Sequence, residues 1–181
     1  MASIGHIAVG LAAGRIHSPA GAGRKTLIKA MVALSAISMA PDADVIAFSL
    51  GIPYGAPFGH RGATHSIGAA VLAGLIAWAL SRPLKLSPLR TSAIVAGVVL
   101  SHPLLDMLTT GGYGCAIFWP FSDERFFFPI HVIPVAPIGL YMFSGYGLMV
   151  VLVETVMFLP LFIFATFPRR SRPVTTGSPP P

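Results

Sequence analysis

Five apolar segments separated by short charged breaks constrain the fold of this chain more than any other feature. They cover approximately residues 3–14, 27–40, 67–81, 91–108 and 138–167. Hydrophobic residues make up 54% of the chain and charged residues 10%, and the mean hydropathy of +0.77 lies far above that of soluble domains. We therefore expect an all-α fold, a polytopic membrane bundle of about four to five hydrophobic helices.

The length of the chain allows a single membrane-embedded domain over residues 1–167, followed by a tail. The last apolar segment would measure about 45 Å as one helix, so we expect it to tilt, protrude or break near Pro160. Residues 168–181 are rich in Pro, Ser, Thr and Gly and are predicted to be disordered. No cleavable signal peptide is expected, because Arg15 follows the first apolar segment. Cys115 is alone, which excludes an internal disulfide and a cysteine-based zinc site.

The basic residues indicate how the chain crosses the membrane. If it starts outside and each segment crosses once, ten of the twelve Lys and Arg residues fall inside, namely Arg15, Arg24, Lys25, Lys29, Arg82, Lys85, Arg90, Arg169, Arg170 and Arg172. The positive-inside tendency favours this orientation over its inverse. We therefore expect a multi-pass protein of the inner (plasma) membrane with a cytoplasmic C-terminus. Because the basic residues form no stripe on one element, we expect no binding to nucleic acid.

The same count brings the side chains with metal-binding chemistry to the outer, extracytoplasmic pole of the bundle. They belong to His6, Asp42, Asp44, His60, His65, His102 and Asp106. Pro41 should end the second helix just before the first two carboxylates. His102 and Asp106 are spaced i and i+4, so they share one face of the fourth helix. Thr64 or Ser66 is available as the N-cap of the third helix.

Neutral imidazoles together with carboxylates are ligands for zinc or a similar divalent ion, and we expect one or two ions. The expected ligands or their direct supports are His6, Asp42, Asp44, His65, His102 and Asp106. The candidate catalytic residues are Asp44, His60 and Arg61, with His60 as a ligand or a general acid/base. The Arg61 guanidinium is expected to orient an anionic group such as a phosphate.

The other ionisable side chains are interpreted as structural. His17 and His131 are expected to be packing residues, and Asp123 and Glu124 to mark a solvated turn. Glu154 is an acid within the last apolar segment, far from the outer pole, where we expect a hydrogen bond inside the bundle.

Two further segments carry unusual patterns. Residues 117–129 are dense in aromatic side chains, which is typical of a loop at the membrane interface. They could also form an apolar wall beside the site, suited to acyl chains. Residues 111–114 predict a tight turn or a close backbone approach, and lack the Lys of a phosphate loop. Small residues suited to close helix packing are Gly68, Ala69, Gly74 and Ala77.

Several short motifs occur together and in a fixed order over about residues 3 to 135. They are Gly5-His6, Pro41-Asp42-Ala43-Asp44, Gly59-His60-Arg61-Gly62, Thr64-His65-Ser66, Ser101-His102, Asp106-Met107-Leu108-Thr109, Trp119-Pro120 and Arg125-Phe126 with Pro129. This set resembles the YdjM-like family, whose members are membrane-bound proteins predicted to be metal-dependent hydrolases.

The spacing His-x-x-x-Asp is also similar, more distantly, to that of zinc-dependent phospholipase C and P1-type nucleases, which are helical phosphoesterases. That resemblance implies that Asp42, His65 and His102 hold one metal. It further implies that Asp106 bridges to a second metal held partly by His6. The additional His and Glu ligands that hold a third metal in those enzymes have no counterpart in this chain.

The residues and the resemblance together predict a membrane-bound metal-dependent hydrolase. The expected reaction is cleavage of an ester, above all a phosphoester, of a small anionic or lipid-linked substrate by metal-activated water. One alternative is a membrane transporter or sensor of a metal or a proton, which should place acids and histidines through the depth of the bilayer. Another alternative is a membrane scaffold with a closed, structural metal site.

Overall fold

The computed structural model describes residues 3–167, and the tail predicted to be disordered at 168–181 lies outside the described residues. The α-helices are α1 (Ile4–His17), α2 (Arg24–Met39), α3 (Ile46–Ser49), α4 (Ile67–Ser81), α5 (Pro88–Asp106), α6 (Gly145–Met157) and α7 (Leu159–Thr166). Short 3-10 helices occupy Ala40–Val45, Ala63–His65 and Gly139–Phe143. Within residues 3–167 no strand forms, which confirms the all-α class, and isolated bridges join Thr109 to Ile133 and Cys115 to Phe126.

Glycines allow α1 and α2 to pack with their backbones in contact. A Cβ atom on Gly10 would lie 2.3 Å from the Ser35 Cα, and one on Gly14 would lie 2.4 Å from the Met31 Cα. These pairings run in opposite directions along the two helices, so α1 and α2 form an antiparallel hairpin. Neither Gly10 nor Gly14 was among the small residues predicted to support close helix packing.

The hairpin of α4 and α5 uses the small residue that the sequence predicted. A Cβ atom on Gly74 would lie 3.0 Å from the Ala96 Cβ, and the Ser92 hydroxyl donates a hydrogen bond of 2.8 Å to the Gly74 carbonyl. Helix α5 also contacts α1 and α2, and α1 contacts α6 and α7. Helix α5 therefore joins the two hairpins.

The ends of the helices follow local sequence signals. Helix α2 ends at Met39, shortly before Pro41, and the chain continues as a 3-10 helix. Proline is tolerated there because the N–H that it lacks would have no partner in a first helical turn. Helix α4 begins after Ser66, whose hydroxyl accepts a hydrogen bond of 3.0 Å from the Ala69 N–H, which confirms Ser66 as the N-cap.

Two helical stretches among the described residues are long and apolar enough to cross a membrane. They are Arg24–Ser49, which includes α2 and α3, with 26 residues, and Pro88–Asp106 with 19. The pair α6 and α7, bent by 58° before Pro160, makes a third if it is one span, and this break agrees with the prediction for the last segment. Helices α1 and α4 have 14 and 15 residues. At about 1.5 Å per residue each is shorter than the roughly 30 Å hydrocarbon core, so four to five crossings stay a prediction.

The glycine contact between α1 and α2 leads to a stability prediction. Gly10→Ala places a methyl group against the backbone of Ser35, and we expect a loss of about 1–3 kcal/mol from overpacking. Heating the purified full chain in detergent and measuring the remaining monodisperse protein by size-exclusion chromatography checks this. Gly97→Ala is the matched control, because a Cβ there meets nothing within 4 Å. Equal midpoints for both variants would contradict the packing argument.

Candidate metal centre

Histidines and aspartates from four parts of the chain meet where α1 and α4 begin and where α2 and α5 end. His6 comes from α1, Asp42 and Asp44 from the 3-10 helix after α2, His60, Arg61 and His65 from the segment before α4, and His102 and Asp106 from α5. Except for Asp42, each of these residues is at most 8% exposed. The fold thus gathers every predicted site residue into one region.

Four of these residues form a set that could hold a metal ion. Ligand atoms of Asp42, His65, His102 and Asp106 all lie within 4.8 Å of one another. The His102 Nε2 lies 3.2 Å from the Asp42 Oδ1 and 3.6 Å from the Asp106 Oδ2. The His65 Nε2 lies 3.6 Å and 3.4 Å from the same two oxygen atoms. Two Nε2 atoms and two carboxylates therefore face a common point.

Hydrogen bonds on the other side of each ring fix its orientation. The His102 Nδ1 lies 2.7 Å from the Ser38 carbonyl oxygen. Because a carbonyl only accepts, this Nδ1 carries the hydrogen, and the Nε2 of the neutral ring keeps a lone pair. The His65 Nδ1 lies 3.0 Å from the Thr64 hydroxyl, which itself donates to Asp44, and 3.1 Å from the Asp44 Oδ2. Both oxygens accept from it, so this Nδ1 carries a hydrogen as well. Such partners on the second ring nitrogen are typical of metal-binding histidines.

Asp44 organises the segment before α4. Its carboxylate lies 2.6 Å from the His60 Nδ1, and accepts hydrogen bonds of 3.1 Å from the Arg61 N–H and 2.6 Å from the Thr64 hydroxyl. Together with the contact to His65, these bonds use both oxygens of the carboxylate. Asp44, His60 and His65 also satisfy the distance criterion for a metal site. In this group the two imidazoles already contact the Asp44 carboxylate through their Nδ1 atoms. We therefore interpret Asp44 as a residue that positions His60 and His65.

The charge of the cluster favours a cation. Burial opposes a positive charge on His65, yet the carboxylates of Asp106, Asp42 and Asp44 raise its pKa to about 10. The surrounding carboxylates thus stabilise positive charge at the Nε2 atom, where a divalent ion would supply it.

Arg61 is held inside the protein rather than projecting from it. Only 3% of its side chain is exposed, and its Nε lies 3.3 Å from the Asp106 Oδ2. Its Nη1 donates to the Thr109 hydroxyl and to the Gly111 carbonyl, both at 3.2 Å. Gly112, with a φ of 94°, leaves the room that the guanidinium fills, which bears out the close approach predicted for residues 111–114. The orienting of an anion by Arg61 stays a prediction.

His6 lies beside the set of four. Its Nε2 is 3.7 Å from the Asp106 Oδ1, and its ring stacks on that of His102 with centroids 3.6 Å apart. Both ring nitrogens are buried and have no hydrogen-bond partner. The two oxygens of Asp106 therefore face different imidazoles, with His6 on one side and His65 and His102 on the other.

Glu154 is closer to this region than expected. It is fully buried, and its Oε2 accepts a hydrogen bond of 3.3 Å from the N–H of Gly5, the residue before His6. The predicted hydrogen bond inside the bundle is confirmed. The expectation that Glu154 lies far from the cluster is wrong, because α6 packs beside the beginning of α1.

A cavity of about 320 Å³ opens beside the cluster. Its polar lining includes Asp42, His60, Arg61 and Tyr54, and its apolar wall comes from Val45 and from residues 135–139 and 142. The interpretation of residues 117–129 as this wall is wrong, since none of them lines the cavity. Instead Phe126 packs on a small core around Cys115, while Phe121 is 95% exposed, as an interface loop requires.

Two residues at the site were missed by sequence reasoning. The Tyr54 ring contacts the His60 ring with centroids 5.0 Å apart. Arg125 donates hydrogen bonds of 3.0–3.1 Å to the carbonyls of Tyr54, Ala56 and His60. It therefore holds the loop that carries His60. No sequence motif includes Tyr54. Arg125 belongs to one of the family motifs, but no contact with this loop was predicted for it.

The remaining histidines lie outside the cluster. His17 is at the opposite end of α1, and the exposed His131 contacts the ring of Phe127. Asp123 and Glu124 are exposed in the predicted turn. The placements of His17, Asp123 and Glu124 agree with the structural roles expected for them, whereas His131 was expected to pack and is exposed.

Apolar helices and a buried group of His and Asp residues that could hold a metal ion define a helical membrane protein. The chain belongs to the YdjM inner membrane protein family, whose model matches residues 1–171. The inner membrane protein YbcI of Escherichia coli (strain K12) is 43% identical over 120 residues, which are 65% of this chain and 69% of YbcI. These findings confirm the predicted family and the inner membrane. No solved structure matches the chain significantly.

The geometry of the set of four leads to a metal-binding prediction. His65→Gln and His102→Gln each remove a buried Nε2, and we expect zinc affinity to fall by at least about tenfold, as even changes behind a ligand cost 10–100-fold. Elemental analysis and zinc titration of the purified full chain measure this. His131→Gln, the same substitution outside the cluster, should leave zinc binding unchanged. Equal, sub-stoichiometric zinc in all four proteins would show that the cluster holds no metal.

Proposed function

We propose that the protein is a membrane-bound metal-dependent hydrolase that cleaves a phosphoester of a small anionic or lipid-linked substrate. The observation that carries this proposal is the convergence of Asp42, His65, His102 and Asp106 within 4.8 Å. The convergence lies beside a cavity to which His60 and Arg61 also contribute. A metal-binding set, an acid/base and a cation around one cavity are the parts that hydrolysis of a phosphoester requires.

The residues of the set fit a zinc ion. The Nε2 atoms of His65 and His102 are buried without a hydrogen-bond partner, which is costly unless a cation binds them. The Asp42 side chain is 23% exposed while the others are nearly inaccessible, so one side of the set remains open to the cavity. A bound divalent ion would act as a Lewis acid and lower the pKa of a water molecule.

A second ion is supported by Asp106 and His6. The Oδ1 of Asp106 faces the His6 Nε2 at 3.7 Å, whereas its Oδ2 faces the other two imidazoles. His6 and Asp106 are therefore the residues that would hold a second ion. The buried, unpartnered ring nitrogens of His6 fit such a role.

His60 is the proposed general acid/base, with Asp44 as its positioning residue. The Asp44 carboxylate holds the His60 Nδ1 at 2.6 Å, so the Nε2 is the ring nitrogen that remains for proton transfer. It takes a proton from the attacking water and returns one to the leaving alcohol, so the proton count is conserved. A carboxylate behind the ring stabilises the imidazolium that forms between these two steps.

Arg61 and Tyr54 are the proposed contacts to the phosphate. Both line the cavity, and Arg61 brings a positive charge to its wall. Burial raises the pKa of the Tyr54 phenol, which therefore stays protonated and able to donate a hydrogen bond.

The role of His60 can be separated from metal binding. We expect His60→Gln to keep its zinc but to lower kcat by about 10²–10⁴, the usual contribution of a general acid/base. Hydrolysis of 4-nitrophenyl phosphate and of bis(4-nitrophenyl) phosphate by the zinc-loaded full chain measures this. His131→Gln serves again as the control. If His60→Gln hydrolyses both compounds at the wild-type rate, His60 is not the acid/base.

We also propose that the cluster faces the extracytoplasmic side and that the C-terminus is cytoplasmic. Basic residues at the other ends of the helices support this orientation. There the Arg90 guanidinium donates to the Ile16 carbonyl, and Arg15 donates to the carbonyls of Ala165 and Phe167. The end of α7 therefore meets Arg15 of α1, and Arg90 of α5 meets the end of α1, at the pole opposite to the cluster.

Cysteine labelling tests this orientation. Leu86 and Phe121 are 40% and 95% exposed and lie toward opposite poles. In a Cys115→Ala background, we expect a membrane-impermeant thiol reagent to label Phe121→Cys in spheroplasts, and Leu86→Cys only after lysis. Labelling of both positions from the same side would contradict the proposed topology, and labelling with the two sides exchanged would invert it.

A further inference from the structure

The cavity beside the cluster has two chemically different sides. Its polar side carries the Asp42 carboxylate and the Arg61 guanidinium. The facing wall is apolar and includes Val45, Ile138 and Met142. A substrate with only charged and polar groups would leave that wall in contact with water, so the wall matches a hydrocarbon group.

The cavity is too small for a whole lipid. Its volume of about 320 Å³ lies at the lower end of the 300–1,000 Å³ range of ligand pockets. That space suits a phosphate end and the first part of a chain. The rest of a longer chain would have to leave the cavity along an apolar path.

Such a path continues from the apolar wall. Ile138 is 50% exposed, and Leu140 and Tyr141, which follow it, are 84% and 78% exposed. A second, shallower cavity of about 480 Å³ is lined by Leu140, Tyr141, Phe143 and Ser144. The 3-10 helix Gly139–Phe143 therefore contributes Met142 to the first cavity and its neighbours in the chain to an open apolar groove.

The part of the apolar lining that comes from Val45 reaches the surface as well. Val45 is 39% exposed in the cavity wall, and the next residue, Ile46, is 66% exposed. Both belong to the helical stretch Arg24–Ser49, which is apolar enough to cross a membrane. Exposed apolar side chains of such a stretch are suited to contact with lipid, so Val45 connects the cavity lining to a lipid-compatible surface.

We propose that the substrate is a membrane amphiphile that carries a phosphoester at one end and a hydrocarbon chain at the other. The phosphate lies against Arg61 and Tyr54, and the chain lies over Ile138 and Met142 toward the groove at residues 140–144. The assignment of a phosphoester rests on the proposed function, while the requirement for a chain rests on the apolar lining alone.

Binding of alkylphosphonates, which resist hydrolysis, tests the chain requirement without turnover. The probes are butylphosphonate and octylphosphonate, titrated into the zinc-loaded full chain in detergent by calorimetry. Each methylene removed from water contributes about fourfold in affinity, so two buried methylenes give about 15-fold. We therefore expect octylphosphonate to bind at least tenfold more tightly than butylphosphonate.

A pair of matched variants locates this preference. We expect Ile138→Gln to reduce the octyl-to-butyl ratio to below about threefold, because octylphosphonate loses more of its apolar contact than butylphosphonate does. The control is Ile163→Gln on α7, the same substitution at a residue of similar exposure, since Ile163 is 52% and Ile138 50% exposed. Both variants are measured in the same detergent, so partition of the probes into it affects both equally. An unchanged ratio in Ile138→Gln, or equal affinities for both probes in the wild type, would overturn the proposal.

Hydrolysis of butyl phosphate and octyl phosphate is measured in parallel by phosphate release. Hydrolysis of both compounds with no chain preference in binding would reject the amphiphile and keep the hydrolase. A chain preference that depends on Ile138, without hydrolysis of either compound, would keep the amphiphile and reject the hydrolase. Absence of both the preference and the hydrolysis would reject both proposals.

Discussion

The hydrogen bonds of Asp44 are the interaction on which the rest of the cluster depends. A buried carboxylate is costly unless donors surround it, and Asp44 receives its donors from one short segment of the chain. These hydrogen bonds hold the backbone of Arg61 at a φ of 60°, which residues other than glycine rarely adopt. The same segment then directs the His65 Nε2 and the Arg61 guanidinium toward Asp106. By fixing this segment, Asp44 thus helps to bring His65 and Arg61 against the Asp106 carboxylate.

Close helix packing brings the other half of the cluster into place. Glycines on α1 allow its backbone to touch that of α2, so both helices reach α5 at a short distance. Two contacts at the cluster follow from this approach. The His102 Nδ1–H donates a hydrogen bond to the carbonyl of Ser38 on α2, and the His102 ring stacks on His6 of α1. Small residues suit such packing in lipid, where dispersion contacts replace the hydrophobic effect between helices. The geometry of the cluster therefore depends on the close packing of α1 against α2.

The features that could be predicted from the sequence are those that depend on a few neighbouring residues, such as a helical spacing or a helix cap. The spacing of His102 and Asp106 gave a shared helical face, and the serine before an apolar run gave the cap of α4. The alternation of apolar segments and charged breaks also predicted that the histidines and carboxylates of the cluster lie at one pole. The neighbours of Glu154 and the bonds of Arg125 were not predictable, because both depend on how distant loops fold. Likewise, no local pattern shows that residues 135–139 and 142 rather than 117–129 line the cavity.

The distribution of ionisable groups bears on the choice between hydrolysis and transport. A path for ions or protons through a bundle requires polar or ionisable side chains along the depth of the membrane. Between the cluster and the basic pole, the sequence has no acidic, basic or histidine residue over residues 7–14, 30–41, 67–81 and 91–101. Glu154, the acid within the last apolar segment, contacts Gly5 beside the cluster and so does not begin a second site. Chemistry confined to one pole, next to a cavity with an apolar wall, favours a hydrolase acting at the membrane surface over a carrier.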